Sequence, residues 1–287
     1  MQGILQNKVA IITGSSRGLG YAIAEAYAQE GAKVIIASRT QNAVDQAVRQ
    51  LRENGAQVDG LACDVSNLQQ VQALAEFAVQ KFGRLDIWVN NAGLSAPYGP
   101  TAHIPSAEFQ SVIDTNITGT YNGSVMAMRF FARQKGGKLI NLLGRGDKGA
   151  VPLQNAYSSS KVWVRNFTQA LAREYENSGV DVFTFNPGLV RTDMLSNIEA
   201  VSGYEKRLNP LRYVTMLWGN DADVPAQKAA WLASSATDGK NGLQVSMFTT
   251  WFMISRLVKQ AFRWLARKPS ELKNLNITTI EPEIRAD

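Results

Sequence analysis

The chain has 287 residues, 30 basic and 24 acidic side chains, one His, one Cys, a net charge of +6 and 45% hydrophobic residues. That hydrophobic content excludes a disordered chain, and the length supplies a core that needs no covalent staple. One cysteine excludes an internal disulfide, one Cys with one His leaves no metal site to expect, and His103 alone argues against a Ser-His-Asp hydrolase.

The positive charge is compatible with nucleic acid, an anionic membrane or a phosphorylated ligand, and does not choose among them. Met1 to Lys8 is short and polar and lacks the apolar stretch of a signal peptide. No uncharged apolar run reaches the eighteen or so residues of a membrane span. The expectation is a cytoplasmic protein, with one qualification from the C-terminal segment.

In chain order, Val9 to Ile12, Val34 to Ala37, Ile87 to Val89, Leu139 to Leu143 and Val180 to Phe185 read as strands. They are rich in Val, Ile and Leu with little polar alternation, as in strands buried on both faces of a parallel sheet. Between them, Leu19 to Glu30, Asn42 to Asn54, Leu68 to Phe82, Ser106 to Gln134 and Ala156 to Asn177 have helical period. Alternation at this spacing predicts βαβ units in an open, doubly wound α/β sheet with helices on both faces. Gly31, Gly55, Gly83 and Gly179 fall where a left-handed helix cap favours glycine.

After Pro187 the alternation weakens. Residues 192–219 read as an irregular lobe over the sheet, Pro225 to Ala233 as a short helix and Leu243 to Ser246 as a last strand. The expected organisation is one domain over 1–246 and a C-terminal helical extension over 247–287. The tail beyond Asn274 is expected to be poorly ordered.

The first strand ends in Thr13-Gly14-Ser15-Ser16-Arg17-Gly18-Leu19-Gly20, and a helix follows. Glycine there lets the backbone approach a pyrophosphate, and the helix N-terminus offers free N–H groups to it. Gly14, Ser16, Arg17, Gly18, Leu19 and Gly20 are therefore candidate cofactor residues. The alternative is a plain strand-to-helix turn. The second strand ends in Ser38-Arg39-Thr40, without the acidic residue that would bond the ribose hydroxyls of NAD. Arg39 with Arg17 could clamp a 2′-phosphate, so NADP(H) is expected over NAD(H).

Tyr157 and Lys161 are four apart at the start of a predicted helix and share a face. A lysine ammonium nearby favours the phenolate and lowers the tyrosine pKa, and the pair can then move a proton at a carbonyl or carbinol oxygen.

With these motifs the chain resembles the short-chain dehydrogenase/reductase family over about Lys8 to Ser246. The resemblance rests on Thr13 to Gly20, Cys63-Asp64-Val65, Asn90-Asn91-Ala92-Gly93, Asn116, Tyr157 with Lys161, and Asn186-Pro187-Gly188 followed by Thr192. It implies a Rossmann-like fold. It also implies that Asp64, with Val65 beside it, contacts the adenine, that Asn91, Ala92 and Gly93 pack beneath it, and that Asn116 supports a proton relay. Lys161 would also bind the nicotinamide ribose, and Pro187, Gly188 and Thr192 would cradle the nicotinamide.

One position departs from the family. A serine usually stands thirteen residues before the tyrosine, and here that position is Gly144. Arg145 or Gln154 could substitute as donor, the substrate could bring its own hydroxyl or need none, or the protein could bind nucleotide with little redox activity as a sensor or scaffold. The retained Tyr157, Lys161 and Asn116 favour chemistry. Tyr204, with Tyr213, Met216, Leu217 and Trp218, reads as an aromatic lid over an apolar substrate or as packing of the lobe. His103 reads as a surface or rim residue, Cys63 as a buried filler and Trp88 as core.

Met247, Trp251, Ile254, Val258, Ala261 and Leu265 make one apolar stripe, with Arg256, Lys259, Arg263 and Arg267 on the other side. Two readings stand. The stripe packs within the chain or in a homodimer or homotetramer with the basic face solvated, which is favoured, or residues 247–268 lie on an anionic membrane. The reading as a whole is an NADP(H)-dependent oxidoreductase of a small carbonyl or secondary alcohol. A membrane-surface reductase of lipid-like substrates is an alternative, and no nucleic acid partner is expected.

Overall fold

Seven short runs line up as one parallel sheet, with every C-terminal end on the same edge. In the computed structural model, which describes residues 3–265 and 275–283, the chain runs β1 (Val9–Thr13), α1 (Gly18–Gln29), β2 (Lys33–Ser38), α2 (Gln41–Glu53), β3 (Val58–Ala62), α3 (Leu68–Phe82), β4 (Ile87–Asn90), α4 (Ser106–Val112), α5 (Gly119–Gln134), β5 (Gly137–Leu142), α6 (Asn155–Glu174) and β6 (Val180–Asn186). There follow α7 (Asp193–Ser196), β7 (Asn197–Val201), α8 (Leu211–Trp218), α9 (Asp223–Ala233), β8 (Gln244–Ser246), α10 (Thr250–Leu265) and β9 (Asn276–Ile280).

The sheet order is β3-β2-β1-β4-β5-β6-β8, a single-domain Rossmann-like arrangement. The two-residue period of a strand sends neighbours to opposite faces. Ile12, Ile36, Val89, Ile140 and Phe183 pack under α1, α2 and α9. Ile11, Ile35, Trp88, Leu139 and Val182 pack under α3, α5 and α6. Both faces are covered, which is why the inner strands read as continuous apolar runs. Strand order reverses between β1 and β4, and the crevice there is where an open α/β sheet takes a ligand.

Four features differ from the sequence expectation. The edge strand β3 has no apolar run of its own in the sequence, where only a strand end at Cys63 is expected, because its V-D-G-L-A run is half-exposed and includes Asp and Gly, which are depleted in strands. The run Ser106 to Gln134 is interrupted by a wide π turn at Ile113–Thr118. The lobe is more regular than expected, since it contains α7, β7 and α8. The tail beyond Asn274 is not loose over 276–280: β9 pairs in parallel with β7, placing Ile277 beside Ile198 and Ile280 beside Val201. The β-branched I-T-T-I run and the open edge of β7 account for it. Glu283 then accepts hydrogen bonds from the Ser106 N–H at 2.7 Å and the Ser106 hydroxyl at 2.9 Å.

The C-terminal helix forms, but not with its stripe inward. Trp251, Ile254 and Val258 are exposed, so the intrachain packing expected of them is corrected. Arg256, expected to be solvated, instead donates to Asn220 Oδ1 at 2.6 Å. The side chains of Ala261, Arg263 and Leu265 lie outside what is described, as do Arg267 and Lys268.

Candidate active site

The loop after β1 is built around two glycines and two polar clasps. Gly14 has φ +64°, and a Cβ there would stand 2.8 Å from Ala92 Cα. Asn91 Nδ2 donates to the carbonyls of Thr13 at 2.9 Å and Gly14 at 3.1 Å. The Thr13 hydroxyl accepts from the N–H groups of Asn91 and Ala92, both at 3.1 Å. Gly20 has no room for a side chain between Gly14 and Asn91. The β1 and β4 loops are thus tied together across the switch point.

Helix α1 begins at Gly18 with no side-chain cap and no acidic residue in its first turn. Gly18 is exposed, and a Cβ there would meet only Thr192, at 3.5 Å. Ser16 and Leu19 are half-buried beside it. Arg17 lies 3.8 Å from Asp193, an exposed pair that solvent screens. Ser38 is half-buried and Arg39 exposed at the end of β2, and among the described residues no carboxylate lies within 4 Å of Arg39. Asp64 accepts from the Ser66 N–H at 3.0 Å and its hydroxyl at 2.8 Å. Asn122 Nδ2 donates to the carbonyl of Val65 at 2.9 Å, fixing this loop from α5.

At the ends of β4, β5 and α6 the polar groups converge. Asn116, fully buried in the π turn, accepts from the Leu94 N–H at 2.8 Å and donates to the Leu94 carbonyl at 2.9 Å and to Ser160 Oγ at 3.0 Å. Ser160 Oγ donates to the Tyr157 carbonyl at 2.7 Å. Lys161 Nζ donates to the Leu142 carbonyl at 3.1 Å and lies 5.6 Å from the centre of the Tyr157 ring. A Cβ at Gly93 would lie 3.5 Å from Asn116 Oδ1 and 3.7 Å from Lys161 Nζ.

The Tyr157 hydroxyl lies directly over Gly144. A Cβ on Gly144 would overlap its oxygen and stand 3.1 Å from Cζ. Burial, and then the charge of Asp147, push the Tyr157 pKa up to about 12. Burial pushes Lys161 down to about 8. This corrects the expectation of a lowered tyrosine: desolvation outweighs the ammonium. Asp147 is itself buried and accepts from Arg165 Nη2 at 2.9 Å. At neutral pH the phenol therefore keeps its proton.

On the far wall, Gly188 has φ +72° and its N–H donates to Asn186 Oδ1 at 2.9 Å. Asn186 Nδ2 donates to the Gly144 carbonyl at 3.3 Å. Pro187 is buried and Thr192 half-buried. The suggested substitute donors do not gather as clearly. Arg145 is exposed and makes no hydrogen bond or ion pair among the described residues. Gln154 is half-buried, with its Oε1 buried and unpartnered. Tyr204 packs edge-on to His103, ring centres 6.4 Å apart.

Ser160, Asp147, Asn186 and the Leu94 and Leu142 carbonyls belong to this constellation and were not singled out as site residues. Ser160 had a signal, since a residue three beyond Tyr157 on a helix is its neighbour. The backbone carbonyls had none.

Comparison with known proteins gives a consistent picture. A family model described as short chain dehydrogenase matches residues 8–202. The chain is 31% identical to glucose 1-dehydrogenase 2 of Bacillus subtilis over 232 residues, covering 80% of this chain and 89% of that protein. It is 35% identical over 204 residues to the rice (Oryza sativa subsp. japonica) protein named "Probable chlorophyll(ide) b reductase NYC1, chloroplastic", covering 64% of this chain and 40% of that one. The chain thus spans well under half the length of that plant relative. Among solved structures, a gluconate 5-dehydrogenase from Burkholderia cenocepacia in complex with NADP and tartrate superposes with a TM-score of 0.76 at 25% identity, over 87% of this chain and 96% of that one. A 3-ketoacyl-(acyl-carrier-protein) reductase from Brucella melitensis complexed with NADH gives 0.74 at 27% identity, over 85% and 97%.

Proposed function

Because the chain belongs to the short-chain dehydrogenase family, oxidoreductases acting between C=O and CH–OH, we propose that it is an NADP(H)-dependent oxidoreductase of a carbonyl or secondary alcohol in which Tyr157 moves the proton. The observation that carries this reading is the Tyr157 hydroxyl held over Gly144 with Lys161 behind its ring.

A dinucleotide fits the residues present. The uncapped start of α1 offers backbone donors to a pyrophosphate, and Gly18 leaves the approach open. Gly14, Ser16, Gly18, Leu19 and Gly20 would hold the phosphates, with Asp64, Val65 and Asn91-Ala92-Gly93 on the adenine side and Pro187, Gly188 and Thr192 about the nicotinamide. Arg39, with no carboxylate within 4 Å among the described residues, and Arg17, only loosely paired, support NADP(H) over NAD(H). The two solved relatives above were crystallised with NADP and with NADH, so the choice rests on these arginines.

The nicotinamide, when bound, supplies or accepts the hydride. The chain moves the proton. In reduction, Tyr157 donates from its hydroxyl to the substrate oxygen. Lys161 stabilises the phenolate that this leaves. Asn116 holds Leu94 and Ser160, and through Ser160 the backbone of Tyr157, in place. A phenol protonated at neutral pH suits reduction better than alcohol oxidation.

The test is consumption of NADPH and NADH across a panel of ketones and aldehydes. Turnover with NADPH at a KM well below that for NADH is expected. Tight NADPH binding with no turnover of any carbonyl would replace this reading with a nucleotide-binding protein that lacks the chemistry.

A further inference from the structure

Helix α10 is oriented opposite to a helix of a water-soluble monomer. Its apolar side chains face out: Trp251 is 78% exposed, Phe262 66% and Val258 50%, with Ile254 and Leu257 also exposed on the same side. Its other side meets the protein. There Trp218 Nε1 donates to the Met253 carbonyl at 3.3 Å, and Arg256 reaches Asn220 with its guanidinium 5.1 Å from the Phe252 ring. A helix that turns an arginine inward and two aromatics outward runs against hydrophobic sorting unless something apolar covers it.

Charge decides what covers it. From Met247 to Ser270 the sequence has five basic residues and no acidic one. Pairing this segment with its own copy about a two-fold axis would bring like charges together, exposed Lys259 among them, with no carboxylate in the segment to offset them. An anionic lipid surface meets both demands, since it takes the Trp/Phe face into the headgroup boundary and the cations at the phosphates. At 16 residues α10 is about 24 Å long. No described helix is long and apolar enough to cross a membrane, so α10 would lie in the surface plane.

The position fits such a contact. Met247 and Phe248, which lead into α10, stand 3.6 and 3.8 Å from where a Gly188 side chain would begin. Phe248 is exposed, its ring 6.3 Å from that of Phe252. The apolar surface therefore starts at the catalytic edge of the sheet. We propose that α10 docks the protein on anionic membranes, with Trp251, Ile254, Val258 and Phe262 inserted at the interface. The proposal does not depend on the catalytic reading.

The test is co-sedimentation of the full chain with vesicles of phosphatidylcholine alone and with phosphatidylglycerol added, beside sedimentation velocity without lipid. Binding to the anionic vesicles at least about ten-fold tighter than to the neutral ones is expected. Trp251→Asp with Phe262→Asp should abolish it. Lys259→Glu, which leaves the apolar face intact, should weaken it about five-fold. Circular dichroism of each variant reports folding, and Lys259→Glu carries the test if the double variant does not fold. Absence of binding to anionic vesicles overturns the proposal. A dimer that the double substitution splits, without vesicle binding, would assign the face to a second copy. Binding that neither variant changes would also overturn it.

Discussion

The hydroxyl oxygen of Tyr157 stands in the volume where a side chain at position 144 would begin, and glycine is what leaves it there. A serine at this position is usual in the family. Here the tyrosine has taken up the space.

It follows that Gly144→Ser does not restore a missing donor. Its Cβ must displace the hydroxyl, in a buried site where overpacking costs about 1–3 kcal/mol. The expected outcome is a lower melting temperature and a kcat reduced about ten-fold or more, with NADPH affinity little changed. Steady-state kinetics and thermal melts check it. A gain in kcat would show that the tyrosine yields easily and that a donor was lacking.

The charge of Asp147 contributes to the raised Tyr157 pKa. Asp147→Asn should bring that pKa down, because a nearby negative charge opposes the phenolate. Below the pKa, kcat/KM for alcohol oxidation should then rise about ten-fold for each unit by which the pKa falls. The pH profile of kcat/KM for alcohol oxidation between pH 7 and 10 measures it. An unchanged profile in a folded variant would remove Asp147 from the account.

Lys161 gives a stability signature. Its folded pKa, near 8, lies below its ordinary value of 10.5. Between those values the unfolded chain binds the proton and the folded one does not, so this group's contribution rises with pH from about 8 to 10. The full span is worth roughly 3 kcal/mol. Cys63 is also displaced, upward to about 12, so the comparison is with Lys161→Met, which should lack the rise. Denaturant melts of both proteins at pH 7 and 9.5 provide the measurement.

Much of this was legible in the sequence because buried parallel strands write themselves as apolar runs. Val9 to Ile12 and Val34 to Ala37 are examples. The edge strand Val58–Ala62 was not, since a half-exposed edge tolerates Asp59, which there meets Lys81 at 3.1 Å. Tyr157, Lys161 and Asn116 were legible as a motif. The direction of the Tyr157 shift was not, because desolvation depends on what the fold places around a hydroxyl. Trp251, Ile254 and Val258 share a face of α10 as their spacing implies, but periodicity gives a face and not the side to which it turns.

Arg39 tests the cofactor reading. Arg39→Ala should raise the KM for NADPH about ten- to a hundred-fold while leaving that for NADH within about two-fold, because only the 2′-phosphate loses its charge-assisted bonds. Equal effects on both nucleotides would place Arg39 elsewhere in the mechanism.

The central claim is that Tyr157 moves the proton. Tyr157→Phe removes one oxygen and keeps the ring that Lys161 faces at 5.6 Å. Measured on a carbonyl that the wild type reduces, together with NADPH binding by titration, the variant should lose kcat by about a thousand-fold or more and bind NADPH as before. Retained turnover with unchanged NADPH binding would contradict the account.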